Sequence, residues 1–560
     1  MGQFADSRSR SAARPLSWVE WITMYGTICY LHGLKKLWGR MGCPGVHASF
    51  VAPIDRPARA LIRCSFTSEA GKLPNMQQRQ HLPKLCAMAA LFALALLSSL
   101  RASDEIVPLC TEAQVFVDDS MIEAKEGVVR RAHACKKLAE PVMVPEESWE
   151  QDGDDRRIYV YGTVLRDGET GQFRLWYNRG SHTLLATSDD GVHWDRPRLG
   201  VCEFAGSKAN NIVLSLLHSP SVVYREDASD LERRYEMLGF GTKLGRGYYV
   251  AHSSDGIHWE LYPKNPVLPN SDTCTLAFDE KTGEFLAFHK RHWKHRGTNR
   301  RLVFLATSRD MQNWSEPELV MAPDEIDDAE ARAEGGRNGQ FYNMSVFPYG
   351  GQFLGFVTHF RYSGPPKRKG PLQSGDDGPI DVQLVHSRDG RKWERCEDRS
   401  PVIPMGPYKY DAGCILGVSN GVVIVGDEMW AYYTAITTTH GGFVPEKEIT
   451  IARAAWRLDG FVSLDADGAN GVVETVALKP AGNRLTVNVD ALAGECRVAV
   501  LDAKGEPIPG FGREDCVPIK EDAVRQAVRW KANDAMPSDQ PIRLCFYLDR
   551  AKLYSYRIGK

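Results

Sequence analysis

The chain has 560 residues, a formal net charge of −2, 25% charged and 43% hydrophobic residues. That length allows two or three domains, and the even charge gives no basis for a nucleic-acid partner or an anionic membrane surface. Thirteen cysteines contain no Cys-x-x-Cys pair and no zinc-ligand spacing, so neither a metal nor another cofactor is expected.

Residues 1–75 mix Arg, Ser, Trp and Cys without a sustained period and read as upstream or disordered sequence outside the fold. From Met76 a basic stretch (Arg79, Lys84) runs into an apolar segment from Leu85 to Leu97, and Leu100-Arg101-Ala102 precedes Ser103. Those are the parts of a secretory signal in order, and the apolar run is too short to span a bilayer. Segment 76–102 is therefore predicted to be a signal peptide cleaved after Ala102. The mature protein is expected to be periplasmic, cell-surface or secreted, with no lasting membrane insertion. Nine cysteines follow Ala102; an odd, scattered set does not suggest a disulfide framework, and one bridge of Cys496 with Cys516 or Cys545 stays open.

Residues 103–157 are a lead-in expected to pack on the domain C-terminal to it. Within this lead-in, "VFVDDSMIE" places Asp118 and Asp119 either at a pocket rim or at the end of a strand.

Between 158 and 457 the chain writes nearly the same nine residues four times: "ATSDDGVHW", "AHSSDGIHW", "ATSRDMQNW" and "VHSRDGRKW". Each closes a set of short runs rich in aromatic and β-branched residues, separated by Gly/Asp turns, which read as strands and hairpins. A fifth set, "GCILGVSNGVVIVGDEMWAYYTA" with "ITIARAAWRLDGF", keeps the strands and loses the turn motif. Five four-stranded antiparallel units predict an all-β chain with a five-bladed β-propeller over 158–457. In Ser-x-Asp-Gly-x-x-Trp, the Ser and Asp side chains can bond backbone N–H groups of a tight turn, and Gly supplies φ > 0. The Trp (Trp194, Trp259, Trp314, Trp393) can wedge between blades. Met311 stands at the Gly position of the third copy, which predicts a looser turn there. From 458 to 560 short alternating strands with Gly turns predict an antiparallel β-sandwich.

These features resemble the exported β-propeller proteins related to glycoside hydrolase families 32 and 43, which pair a five-bladed propeller with a C-terminal β-sandwich. The resemblance runs from about 106 to 560 and rests on "VFVDDSMIE", the "SxDGxxW" turns, "GDEMWAYYTA" and the closing "LYSYRI". The turn also resembles the sialidase Asp-box, which has one more residue before its Trp; no sialidase arginine triad is identifiable here.

In such a propeller the N-terminal end of each blade's first strand opens on the pocket. That rule selects Asp152, Asp154 and Asp155 in blade one, His218 in blade two, Asp272 in blade three, Tyr342 and Asn343 in blade four, and Asp411 in blade five. The resemblance implies three acids from successive blades: a nucleophile or base, a helper Asp, and a general acid. By position, Asp155 (or Asp154) falls where the nucleophile or base lies, and Asp272 where the general acid lies. His218-Ser219-Pro220 stands where Arg-Asp-Pro would be. The helper Asp is thus missing, as are Trp-Met-Asn-Asp-Pro and Glu-Cys-Pro; Asp411 is the alternative source of a second carboxylate. A carboxyl at the mouth of an apolar strand near a second negative charge is expected to have a raised pKa.

Two loops on the pocket face, "HKRHWKHRGTNRR" and "HFRYSGPPKRKGPLQSGDDGPI", add Lys290, Arg291, His292, Trp293, Arg296, Arg361 and Lys367. A basic, aromatic rim suits a sugar ring stacked on an aromatic, with sulfate or carboxylate groups paired to Arg. The catalytic set expected from the sequence is Asp272, Asp155 and Asp411, with His218, Tyr342, Asn343, Arg291, Trp293 and Arg361 binding substrate. The expected activity is that of a glycosidase on an oligo- or polysaccharide, an anionic one suiting the rim. The alternative is a glycan-binding propeller that has lost the acid pair.

Overall fold

The computed structural model describes residues 112–559 except 270 and 271, together with the backbone of Trp21–Met24, Ala48–Val51, Ala60–Cys64 and Val107–Pro108. The predicted signal segment 76–102 lies outside the described residues. The first three short strands form one antiparallel sheet with Ala60–Cys64 in the middle.

From Val164 to Arg457 the described chain is a succession of antiparallel meanders. The sheets begin at Val164–Arg166, His218–Tyr224 and Cys274–Asp279. A last, nine-stranded sheet holds two meanders, starting at Asn338–Tyr349 and Cys414–Val418 and joined by one parallel bridge, Ile380 to Cys414. The innermost strands are tied into a ring by hydrogen bonds between side chains and backbone. Thr163 donates to the Val222 carbonyl, the Leu276 amide to Ser221, Thr275 to the Met344 carbonyl, and Ser345 to the Val418 carbonyl. The Asn420 amide closes the ring on the Gly162 carbonyl. Small hydroxyl side chains suit this position, because each satisfies a backbone group that twisted, diverging sheets leave unpaired. Glycine serves the same crowding: a Cβ on Gly162 would lie 2.4 Å from the Pro220 oxygen, and one on Gly417 2.5 Å from the Tyr161 ring.

The four repeated turns have the predicted chemistry. In the first, the Gly191 amide donates to Ser188 at 2.8 Å, and the Val192 and His193 amides donate to Asp190 at 2.8 Å each. The copies at Asp255, Asp310 and Asp389 repeat the Asp bonds at 2.7–2.9 Å. The looser third turn expected at Met311 is not found. Met311 takes φ +63° and keeps both backbone bonds to Asp310, without the amide bond to the serine that Gly191 and Gly256 make, and its buried side chain in the apolar core offsets the strain of that backbone. The turns do join neighbouring meanders: Tyr432 donates to the Gly191 carbonyl, Trp176 to the Gly256 carbonyl, and Trp393 packs edge-on against Phe288 at 5.5 Å.

Two six-stranded sheets form the C-terminal sandwich. The lead-in does more than pack on the propeller. Ile122–Glu126 pairs with Gly471–Thr475 in one sheet, while Val129–Ala132 pairs with Val462–Ala466 and Gln114–Val115 with Ala551–Gly559 in the other. It then hands Lys136–Lys137 to the last meander. Asp118 binds Arg388 beside the fourth repeated turn, so it ends a strand rather than lining the pocket. Cys496, Cys516 and Cys545 are free thiols. Among the described residues no helix is long and apolar enough to cross a membrane.

Candidate functional site

Three of the innermost strands carry a register shift at the same end: between His218 and Ser221, Phe341 and Met344, and Ile415 and Val418. An extra residue in one strand re-aims the side chains beside it. In the second meander the cost is visible: Ser219, fully buried, holds φ +53°. The consequence is the placement of His218, whose ring meets Tyr161 at 5.6 Å and Tyr159 at 6.2 Å. Tyr159 and Tyr161, two apart in the segment that leads into Val164–Arg166, stack at 6.0 Å. Asn178 lies 3.0 Å from the His218 Nδ1.

Near His218 and Tyr161, Asp272 makes an ion pair of 2.5 Å with Lys290; the aspartate side chain is 43% exposed and the lysine 3%. The Lys290 ammonium sits 3.7 Å from the centre of the Tyr342 ring, and Arg301 approaches the same ring at 5.5 Å. Arg301 also donates to Gln340 at 2.8 Å and to Asp376 at 2.6 Å, and His440 packs on Tyr342 at 5.1 Å. The mouth is thus an aromatic cup with two partly exposed carboxylates, Asp272 on Lys290 and Asp376 on Arg301.

The raised pKa expected for Asp272 is corrected here. Burial pushes it up, but the Lys290 ammonium, with His218 and Arg301 behind it, holds it down at about 2. Asp272 is a standing anion at neutral pH and no proton donor. Lys290 moves the other way: burial lowers it to about 8 against the pull of Asp272. Burial also lowers His218, which is therefore uncharged near neutrality, and raises the phenols of Tyr159, Tyr161 and Tyr342, which keep their protons.

The other expected acids stand elsewhere. Asp155 is buried and clamped by Arg157 and Arg179, whose bonds to Oδ2 are 2.8 and 2.7 Å. Asp411 is fully buried, 2.5 Å from Lys137 and 2.8 Å from the Tyr433 hydroxyl. Asp152 and Asp154 are exposed. Asn343 is buried in its strand. Of the rim, Trp293 is exposed and edges Phe304 at 6.0 Å, with Arg291 over the same ring at 5.1 Å. Arg361 is buried and engaged by Asp381 and Glu334, away from the mouth. Sequence reasoning missed Tyr159, Tyr161, Arg301 and His440. The alternation in "YVYG" was the available signal for the first two; nothing local marks the others.

No family model and no curated protein matches the chain. Among solved structures, the fold is similar to an N-acetylgalactosamine deacetylase from F. plautii in complex with blood group B trisaccharide, at 15% identity over 60% of this chain and 97% of that one, TM-score 0.39. It is similar to a GH32 β-fructofuranosidase of Bombyx mori (12% identity, 72% and 94% of the chains, TM-score 0.34) and an exo-inulinase of Aspergillus awamori (12%, 75% and 99%, TM-score 0.34). Likenesses this distant assign no activity; the chemistry has to come from the chain's own side chains.

Proposed function

We infer that this is an exported, glycoside-hydrolase-like protein that takes a carbohydrate into the axial mouth, over Asp272. The observation that carries the reading is a half-exposed carboxylate, held ionised by a buried lysine, inside a cup of tyrosines and histidine. Aromatic faces suit the C–H faces of a sugar ring, and a fixed anion suits its hydroxyls and the positive charge that develops at the anomeric carbon during cleavage. Asp272 then works as nucleophile or base, needing no activation. Lys290 touches Asp272 and cannot serve the opposite side of a sugar. Tyr159, partly exposed and protonated at neutral pH, is the group assigned to the leaving oxygen, a weak acid because burial raises its phenol.

A second reading, glycan binding without cleavage, is favoured by a specific observation. Asp155 and Asp411, the expected partners of Asp272, are each neutralised by their own cations. Purified protein assayed for reducing-sugar release across neutral, uronic and sulfated glycans, beside Asp272→Asn and Tyr159→Phe, separates the two. Cleavage by the native protein that both variants lose supports the enzyme. Binding without cleavage, weakened in Asp272→Asn, supports the binder. Neither binding nor cleavage of any glycan removes both readings.

A further inference from the structure

A second built site lies on the flank of the fourth meander, away from the mouth. The helix Glu325–Ala333 packs against the strands Asn338–Tyr349 and Gln352–Tyr362. Beside it opens a cavity of about 440 Å³ lined by Glu330, Glu334, Arg361, Asp381, Gln383 and Arg399.

Its charges do not balance. Arg361 pairs with Asp381 and Glu334, Arg395 with Asp327, and Arg399 with Asp324. Glu330 makes five carboxylates against three guanidinium groups, an excess of two negative charges before Asp398, also on the lining, is counted. Asp381 Oδ1, His359 Nε2 and two nitrogens of Arg395, Nε and Nη2, have no hydrogen-bond partner there. His359 is fully buried.

We propose that His359, Glu330 and Gln383 hold a divalent transition-metal ion, zinc being the best fit, with Asp327 supporting the histidine from behind. His359 Nδ1 lies 3.6 Å from Glu330 Oε2 and 3.3 Å from the Gln383 amide, whose two ends can be exchanged to present oxygen. Donors at zinc bond lengths in a tetrahedron stand about 3.3–3.5 Å apart, and both of these separations are close to that. On the other side of the ring, Nε2 lies 3.6 Å from Asp327 Oδ1. That is too long for a good hydrogen bond, yet it is the arrangement in which a metal-bound histidine donates its second N–H to a carboxylate. Nitrogen and oxygen donors without thiolate suit zinc or manganese better than copper(I). A 2+ ion would cancel the excess charge and pin the helix to the meander. No spacing motif announces such a site, because the helix and the strands Gln352–Tyr362 and Ile380–Ser387 each supply one ligand.

The test is zinc titration of the purified mature chain against a chromophoric chelator, with melting in EDTA as a second readout. One equivalent should bind, and EDTA should lower the melting temperature reversibly on zinc return. Glu330→Gln, a partly exposed change that leaves the fold intact, should weaken binding at least tenfold and abolish the EDTA effect. Asp327→Asn should weaken it about 10–100-fold, as expected for a second-layer partner. No stoichiometric zinc, or unchanged affinity in Glu330→Gln, overturns the proposal. Glycan binding plays no part in the readout, so the two proposals fail separately.

Discussion

The two ends of the propeller strands are built on opposite principles. At the turn end, four copies of one motif make the same Asp bonds with nearly the same lengths, and even Met311 is forced into the conformation glycine takes elsewhere. At the mouth the strands differ: three carry a register shift, beside His218, Tyr342 and Ile415, while Asp272 stands just before another. A repeated end repeats because each turn solves the same packing problem between neighbours. The irregular end carries strain and unlike side chains, which the regular end and the closed ring of hydrogen bonds make tolerable.

The sharpest way to break this contrast is Asp272→Asn. If cleavage occurs at the mouth, turnover should fall by about 10²–10⁴-fold, with the melting temperature nearly unchanged. Full turnover on a natural substrate would remove Asp272 from the chemistry. Trp393→Ala should do the reverse, costing about 3–5 kcal/mol of stability as a buried aromatic, while ligand affinity per folded molecule stays the same. Asp411→Ala belongs with it: Lys137 is left buried without its partner, a loss of about 3–5 kcal/mol. Denaturant melts beside calorimetric titration would show it; lost binding at native stability would return Asp411 to the site.

Smaller effects sharpen the picture. Gly256→Ala places a methyl group 2.8 Å from the Trp176 ring at φ +77°, and should cost about 1–3 kcal/mol by thermal melting. At the mouth, the Lys290–Asp272 pair is neutral at pH 7 and becomes a net anion as Lys290 deprotonates above about 8. Affinity for a uronic or sulfated glycan should therefore drop severalfold between pH 7 and 9, while a neutral glycan is indifferent. A flat profile for both would show that Lys290 does not face the ligand.

The sequence by itself determined the all-β class, the antiparallel meanders, the scaffold role of Ser-x-Asp-Gly-x-x-Trp, and the position of Asp272 at a strand entrance. Those are local matters, since turn chemistry and period-two alternation act over a few residues. Only the tertiary structure decided what each acid meets. Asp272, Asp155 and Asp411 look equivalent as aspartates before apolar strands. One meets Lys290 across a hairpin, one meets Arg157 and Arg179, and one meets Lys137, 274 residues away along the chain. The lead-in's strands in the sandwich were hidden for the same reason, their partners lying more than 300 residues downstream. A carboxylate's charge state depends on the burial and the cations brought to it through space, and neither is encoded in its flanking residues.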